Sequence, residues 1–170
     1  FGKSVPTIPL VEAAIIENVN SLEKNWERKK KFIRGQGDII PSFDYILGNP
    51  PFIGKKEQTE IQKKELTTLF NGLAGAGNLD YVTAWYVKAC QYMQLHPSTQ
   101  SAFVSTNSIT QGEQVGVFWK YLKHKFKVKI NFAHQTFKWM NEAKGFAGVH
   151  CVIVGFALTD EKTKKIFTYD

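Results

Sequence analysis

The chain reads as an α/β protein, a mixed sheet with flanking helices. Short apolar runs at 43–48, 101–106, 127–134 and 149–158 have the length and residue types of buried strands. Segments with helical spacing at 57–70, 78–95 and 115–125 separate them. Strands alternating with helices predict a sheet that is parallel at first and antiparallel where two late strands follow each other. Ligands in such sheets bind beyond the carboxyl ends of the strands, which is where Asn49 and Asn107 fall.

Taken in order, Leu10-Val11-Glu12-Ala13-Ala14-Ile15-Ile16 mixes alternation with an apolar run and reads as a strand or a short helix leading into 18–25. The polar stretch 27–37 is a candidate insertion. The run 43–48 is too short and too apolar for a surface helix. Segment 57–70 is a polar-faced helix with Ile61, Leu66, Leu69 and Phe70 as its apolar members. Segment 78–95 places Leu79, Val82, Trp85, Tyr86, Ala89 and Tyr92 or Met93 on one face, as a helix packed on a sheet would. Between these two helices, Gly72-Leu73-Ala74-Gly75-Ala76-Gly77 neither follows a strand nor ends in Gly-Lys-Ser/Thr, so it reads as a connector rather than a phosphate loop. The third helix, 115–125, leads into an alternating strand at 127–134, followed by a long apolar strand at 149–158 and a weaker one at 165–169.

With 170 residues, 43% of them hydrophobic, the chain suits one domain over residues 1–170. No apolar stretch approaches the ~20 residues of a membrane helix, and no basic-then-apolar leader opens the chain. A cytoplasmic protein with no membrane partner is the expectation. Cys90 and Cys151 stand far apart without Cys-x-x-Cys spacing, so buried thiols are expected and no metal site. His134 and His150 carry no metal or triad pattern and read as structural. The net charge of +7 favours polyanionic partners without proving them.

The most informative stretch is Asn49-Pro50-Pro51-Phe52, delivered by the run 43–48. An exocyclic amine on a nucleobase is a weak nucleophile, because its lone pair is delocalised into the ring. A catalyst must therefore accept both N–H groups while the nitrogen becomes tetrahedral. The Asn49 side-chain oxygen is one acceptor, and the Pro50 carbonyl is the natural second. Pro51 contributes no N–H, fixes its own φ and keeps the preceding residues extended. Phe52 then offers a ring face to a base extruded from the duplex. A turn that merely ends a strand is the plain alternative for any Asn-Pro pair. Lys55 and Lys56 follow directly and read either as DNA-phosphate contacts or as a solvated helix start.

On these residues the chain resembles the class I S-adenosylmethionine-dependent DNA methyltransferases that modify the adenine amine, whose fourth motif is Asn/Asp/Ser-Pro-Pro-aromatic. Its further features are similar to the MmeI-like branch of restriction-modification enzymes. Asn20-Ser21-Leu22-Glu23-Lys24-Asn25-Trp26 resembles that branch's Asn-Ala-Leu-x-x-Asp-Trp segment, with Asn25 replacing the usual Asp. The resemblance makes Asn20 a candidate cofactor contact, with Asp38 in Gly37-Asp38-Ile39-Ile40 as the alternative. Both also read as ordinary loop polar groups. Residues 77–86 resemble the fifth motif, in which Asp80 would shape the cofactor pocket; a first-turn carboxylate favoured by the helix dipole is the other reading. Residues 132–139 and Asn141-Glu142-Ala143-Lys144 resemble the eighth motif, which makes Phe137, then Trp139, candidates to stack on the flipped adenine opposite Phe52, or else core aromatics.

The family's first motif, an acidic residue followed by a Gly-x-Gly-like loop, has no counterpart in its usual place, and neither the second-strand acidic residue nor a target-recognition domain is identifiable. The resemblance therefore implies a partial class I (Rossmann-like) methyltransferase domain with its first strands missing. It also implies S-adenosylmethionine as donor in the full-length protein, and as partners double-stranded DNA and the remainder of the same polypeptide: cofactor loop, target-recognition domain and a nuclease. The expected activity is adenine N6 methylation in restriction-modification or phage defence. RNA or protein-glutamine methylation is an alternative, since those families share the tetrapeptide, as is a non-catalytic nucleic-acid-binding module.

Overall fold

Among the described residues, the strand that delivers the tetrapeptide lies at one side of a five-stranded sheet. A computed structural model describes residues 16–27, 42–139 and 148–169. In chain order its elements are β1 (Tyr45–Gly48), α1 (Glu60–Leu69), α2 (Thr83–Leu95), β2 (Gln100–Thr106), α3 (Gln114–Phe126), β3 (Lys129–Trp139), β4 (Val149–Ala157) and β5 (Lys165–Phe167). The sheet order is β1-β2-β4-β3-β5. β1 and β2 are parallel, with Gly48 opposite Phe103. β4 runs antiparallel to both β2 and β3, and β5 pairs parallel with β3. The mixed α/β architecture predicted from the sequence is the one observed.

Register decides what meets at the functional end. Thr106 of β2 pairs with Cys151 of β4, and Cys151 pairs with Phe137 of β3. The carboxyl ends of β1, β2 and β3 therefore share one rim of the sheet with the amino end of β4. β1 and β3 are three inter-strand steps apart, about 14 Å at the usual ~4.8 Å spacing.

Side chains alternate across a strand, so Ser101, Phe103 and Ser105 share a face with their β4 partners Phe156, Val154 and Val152. All six are buried, and the four apolar ones join a core with Leu66 of α1, Tyr86 of α2 and Phe118 of α3. Tyr86 is the hub: Phe103, Phe118 and Phe156 stand 5.0–5.2 Å from its ring centroid. Its hydroxyl shares a 2.9 Å hydrogen bond with Ser105, which satisfies a polar group that would otherwise be costly to bury. Burial pushes the Tyr86 phenol up, so it stays protonated. On the opposite face of β1, Tyr45 and Leu47 are exposed.

Several boundaries differ from the sequence reading. The first helix starts at Glu60 rather than 57, because Thr59 caps it: the Thr59 hydroxyl accepts from the Gln62 amide and the Gln62 side chain accepts from the Thr59 N–H. Lys55, Lys56 and Glu57 form a turn closed by Glu57 N–H to Gly54 O at 2.9 Å. Ile61 is 71% exposed; it lies five residues before Leu66, roughly 140° around the helix, and so faces solvent. The second helix starts at Thr83 rather than 78, since the preceding residues form a 3-10 turn (Ala76–Asn78) and an extended step at Leu79. The strand expected at 127–134 continues to Trp139, with register shifts between Ile130 and Phe132 and between His134 and Phe137. Residues 18–25 form turns without a helix. Expectations for 10–15, for most of 27–37, for Asp38 and for Asn141–Lys144 fall outside the described residues. Cys90 and Cys151 are free, buried thiols, as expected, and burial pushes both thiol pKa values up.

Candidate active site

β1 ends at Gly48, a glycine where the backbone passes close to an aromatic ring: a Cβ there would meet the Phe103 ring at 3.1 Å. The tetrapeptide leaves β1 at the rim with its residues sorted by exposure. Asn49 is exposed, Pro50 is buried, Pro51 is exposed and Phe52 is half-buried. Pro50 thus acts as an anchor that carries no N–H to desolvate, while the Asn49 amide stays accessible. Ile53, next along, packs against the core.

The loop is held from the far side by the segment before α2. The Tyr81 N–H donates to the Ile53 carbonyl at 2.9 Å, and the buried Gln58 amide nitrogen donates to the Leu79 carbonyl at 2.9 Å. Between these ties sits Asp80. Its N–H donates to Gln114 Oε1 at 3.0 Å, and its Oδ2 accepts from Thr106 at 3.2 Å and from Ser108. Gly54 passes beside its other oxygen, Oδ1, which a Cβ on Gly54 would approach to 3.9 Å. Asp80 therefore joins three parts of the rim: the motif loop, the end of β2 and the start of α3. It lies upstream of α2, whose first turn holds no acidic residue, so the helix-dipole reading of this carboxylate is replaced by its hydroxyl partners.

The other predicted positions divide into two groups. Lys55 and Lys56 are exposed in the turn just beyond the loop. They do not start a helix. Lys55 lines a cavity of about 440 Å³ together with Asn78, Gln111 and Gln114. Asn20 is tied to α1: its Oδ1 accepts from the Leu22 N–H at 3.0 Å and its Nδ2 donates to Glu65 of α1 at 2.8 Å. Each end of that amide has a partner within the chain. The same segment is clamped to α2, as Trp85 Nε1 donates to Ser21 Oγ at 3.0 Å and Lys88 Nζ to the Leu22 carbonyl at 2.9 Å. Glu65 also accepts from the Tyr81 hydroxyl; burial, then that carboxylate, pushes the Tyr81 pKa up.

Phe137 and Trp139 lie on the rim as well, but at the β3 end, across β2 and β4 from the tetrapeptide. Phe137 is half-buried, 6.2 Å from the Trp139 ring and 5.7 Å edge-on from Tyr169, while Trp139 is 42% exposed. Tyr169 in turn stacks on His134, with a hydrogen bond between its hydroxyl and His134 Nδ1. His134 is thus engaged by an aromatic pair, and among the described residues no His, Cys, Asp and Glu group is arranged to hold a metal ion. Among those residues, no helix is long and apolar enough to cross a membrane. Gln58, Thr106, Ser108, Gln114 and Tyr169 were not singled out from the sequence. Each works through a partner at least 21 residues away, and no local pattern announces such a contact.

A sheet rim carrying Asn-Pro-Pro-Phe at the end of one strand, braced by an Asp from the next crossover, matches a known family over nearly the whole chain: residues 1–168 fit the family described as MmeI, DNA-methyltransferase domain. The chain belongs to that family. This MmeI-type methyltransferase domain is 38% identical to DNA methyltransferase A of Bacillus subtilis (strain 168) over 165 residues, 97% of the chain and 18% of that relative. It also superposes on the Type IIL restriction-modification enzyme MmeI, solved in complex with DNA, with a TM-score of 0.70 and 55% identity over 74% of the chain and 17% of MmeI. The domain spans under a fifth of the length of either relative.

Asp80 and Asn20, the described residues expected to contact S-adenosylmethionine, both retain hydrogen-bonding capacity. Asp80 Oδ2 receives both hydroxyls, which leaves Oδ1 for a donor, and the Asn20 amide, with one N–H and one lone pair used within the chain, keeps a second of each.

Proposed function

We propose that this chain is the catalytic-motif part of an S-adenosylmethionine-dependent DNA methyltransferase that methylates the N6 amine of adenine within a restriction-modification or phage-defence protein. The observation that carries the reading is the placement of Asn49, exposed on a buried Pro50 anchor at the carboxyl end of β1. In this reading S-adenosylmethionine supplies the methyl group. Asn49 Oδ1 and the Pro50 carbonyl accept the two adenine N–H groups, which keeps the nitrogen lone pair directed out of the ring plane and stabilises charge as it develops there. Phe52 stacks on the extruded base, and Phe137, with Trp139 behind it, closes the other side of the rim. Asp80 shapes the cofactor pocket through Oδ1. Lys55 and Lys56 lie near the DNA backbone, where their contribution is a salt-sensitive one.

The DNA substrate is supported by the relatives, a DNA methyltransferase and an enzyme solved with DNA. The test is product analysis. Full-length protein, labelled S-adenosylmethionine and competing duplex DNA, single-stranded RNA and glutamine peptide should yield label in duplex DNA as N6-methyladenine. Label in cytosine, RNA or peptide would overturn the adenine reading.

A further inference from the structure

We propose that Gln58 is the positioning residue of the Asn-Pro-Pro-Phe loop, its side-chain amide tying the backbone just after Phe52 to the backbone just before Asp80. The kinetic part rests on the methyltransferase reading; the geometric part does not.

Gln58 is 5% exposed, one of six buried polar residues among those described. Its Nε2 donates to the Leu79 carbonyl at 2.9 Å and to the Ile53 carbonyl at 3.4 Å. The Ile53 carbonyl also accepts the Tyr81 N–H at 2.9 Å. Both side-chain partners are carbonyl oxygens, so the amide orientation is fixed by chemistry: a flipped amide would point oxygen at oxygen. The consequence is that Gln58 Oε1 is buried with no hydrogen-bond partner among the described residues. A buried acceptor without a donor is unfavourable, and a Met or Leu of similar volume would avoid the penalty. The residue is therefore explained by its donating half.

Helix initiation does not account for it. Thr59 and Gln62 complete the capping of α1 by themselves. What the Gln58 amide adds is a crossing between two segments 26 residues apart, Ile53 and Leu79, each adjacent to a residue of the site. Ile53 follows Phe52, and Leu79 precedes Asp80, which is itself braced on Ser108, Thr106 and Gln114. Through Gln58 the loop takes its position from the end of β2 and the start of α3. Small displacements of reacting groups are expensive, with about 1 Å of misplacement costing roughly 100-fold in rate.

The test uses the full-length protein with Gln58→Met, which keeps length and volume and removes both the donor and the orphaned acceptor, and with Gln58→Glu. In Gln58→Met, amide hydrogen exchange over 52–58 and at Tyr81 should accelerate about tenfold or more. Single-turnover methyl transfer to duplex DNA should fall by roughly 10- to 100-fold with KM for DNA and donor little changed, while the thermal midpoint stays level or rises. In Gln58→Glu the ionised carboxylate faces two carbonyls, and protonation restores one donor, so its defect should shrink as pH falls. Exchange and transfer within twofold of wild type in Gln58→Met overturn the proposal. So does a lowered midpoint with unchanged transfer per folded molecule, which would make Gln58 structural only. If Gln58→Met does not fold, unchanged exchange in Gln58→Glu overturns it and accelerated exchange supports it. If wild type transfers no methyl group, the functional reading fails, and the exchange measurements still decide the positioning role.

Discussion

Replacing Asp80 tests whether the rim is braced as a unit. Asp80→Ala removes the shared acceptor of the Thr106 and Ser108 hydroxyls. Hydrogen bonds to a charged partner contribute about 1.5–3 kcal/mol each. Asp80 is only half-buried and the Thr106 contact is 3.2 Å, so the lower figure applies to both. The expected loss is about 3 kcal/mol for Asp80→Ala and about 1.5 kcal/mol for Ser108→Ala. Asp80→Asn keeps one acceptor oxygen, and both hydroxyls can rotate to receive the new N–H, so it should cost about 1 kcal/mol. Equilibrium urea unfolding of the single variants and of the Asp80→Ala/Ser108→Ala pair completes a double-mutant cycle. The coupling should be about 1–1.5 kcal/mol, as for residues in one network. Additive losses, with coupling under about 0.5 kcal/mol, would refute the bracing, as would equal effects of Asp80→Ala and Asp80→Asn.

Three further outcomes follow from the geometry. Gly48→Val places branched carbons where even a Cβ comes to 3.1 Å of the Phe103 ring; thermal unfolding should show a loss of about 1–3 kcal/mol, the usual range for overpacking. Ser105→Ala leaves the Tyr86 hydroxyl buried without its partner and should cost about 1–3 kcal/mol in urea unfolding, whereas adding Tyr86→Phe should recover most of that loss. Lys55→Ala with Lys56→Ala should weaken DNA binding uniformly across sequences and flatten the log K against log salt slope by about 2, near 0.9 per phosphate contact removed; an unchanged slope would leave these lysines as solvated turn residues.

What the sequence disclosed follows from how local each signal is. β1, β2 and β4 were legible because buried strands are short continuous apolar runs, and the tetrapeptide was legible because two prolines force one backbone shape wherever they stand. The start of α2 was not. Residues 78–82 have helical spacing, yet the Tyr81 and Asp80 N–H groups are taken by Ile53 and Gln114, partners 28 and 34 residues away in sequence. Ile61 counts by residue type among the apolar members of its helix, although its position on the helix turns it outwards. The extension of β3 to Phe137 and Trp139 was hidden by the polar pair Gln135 and Thr136 at a register shift. Within the site, the chemistry proposed for Asn49 and Phe52 rests on residue type. Their supports, Gln58, Ser108 and Thr106, could not, because a Gln before a capped helix and hydroxyls after a strand look like ordinary surface residues until the chain is folded.

The most direct measurement is single-turnover methyl transfer by the full-length protein on duplex DNA, with Asn49→Ala set against wild type and the product identified as a modified nucleoside. Loss of one preorganised acceptor costs about 100- to 1,000-fold in rate. The account predicts N6-methyladenine from wild type and a fall of that size in Asn49→Ala, with DNA affinity retained. Equal rates in the two proteins would contradict it.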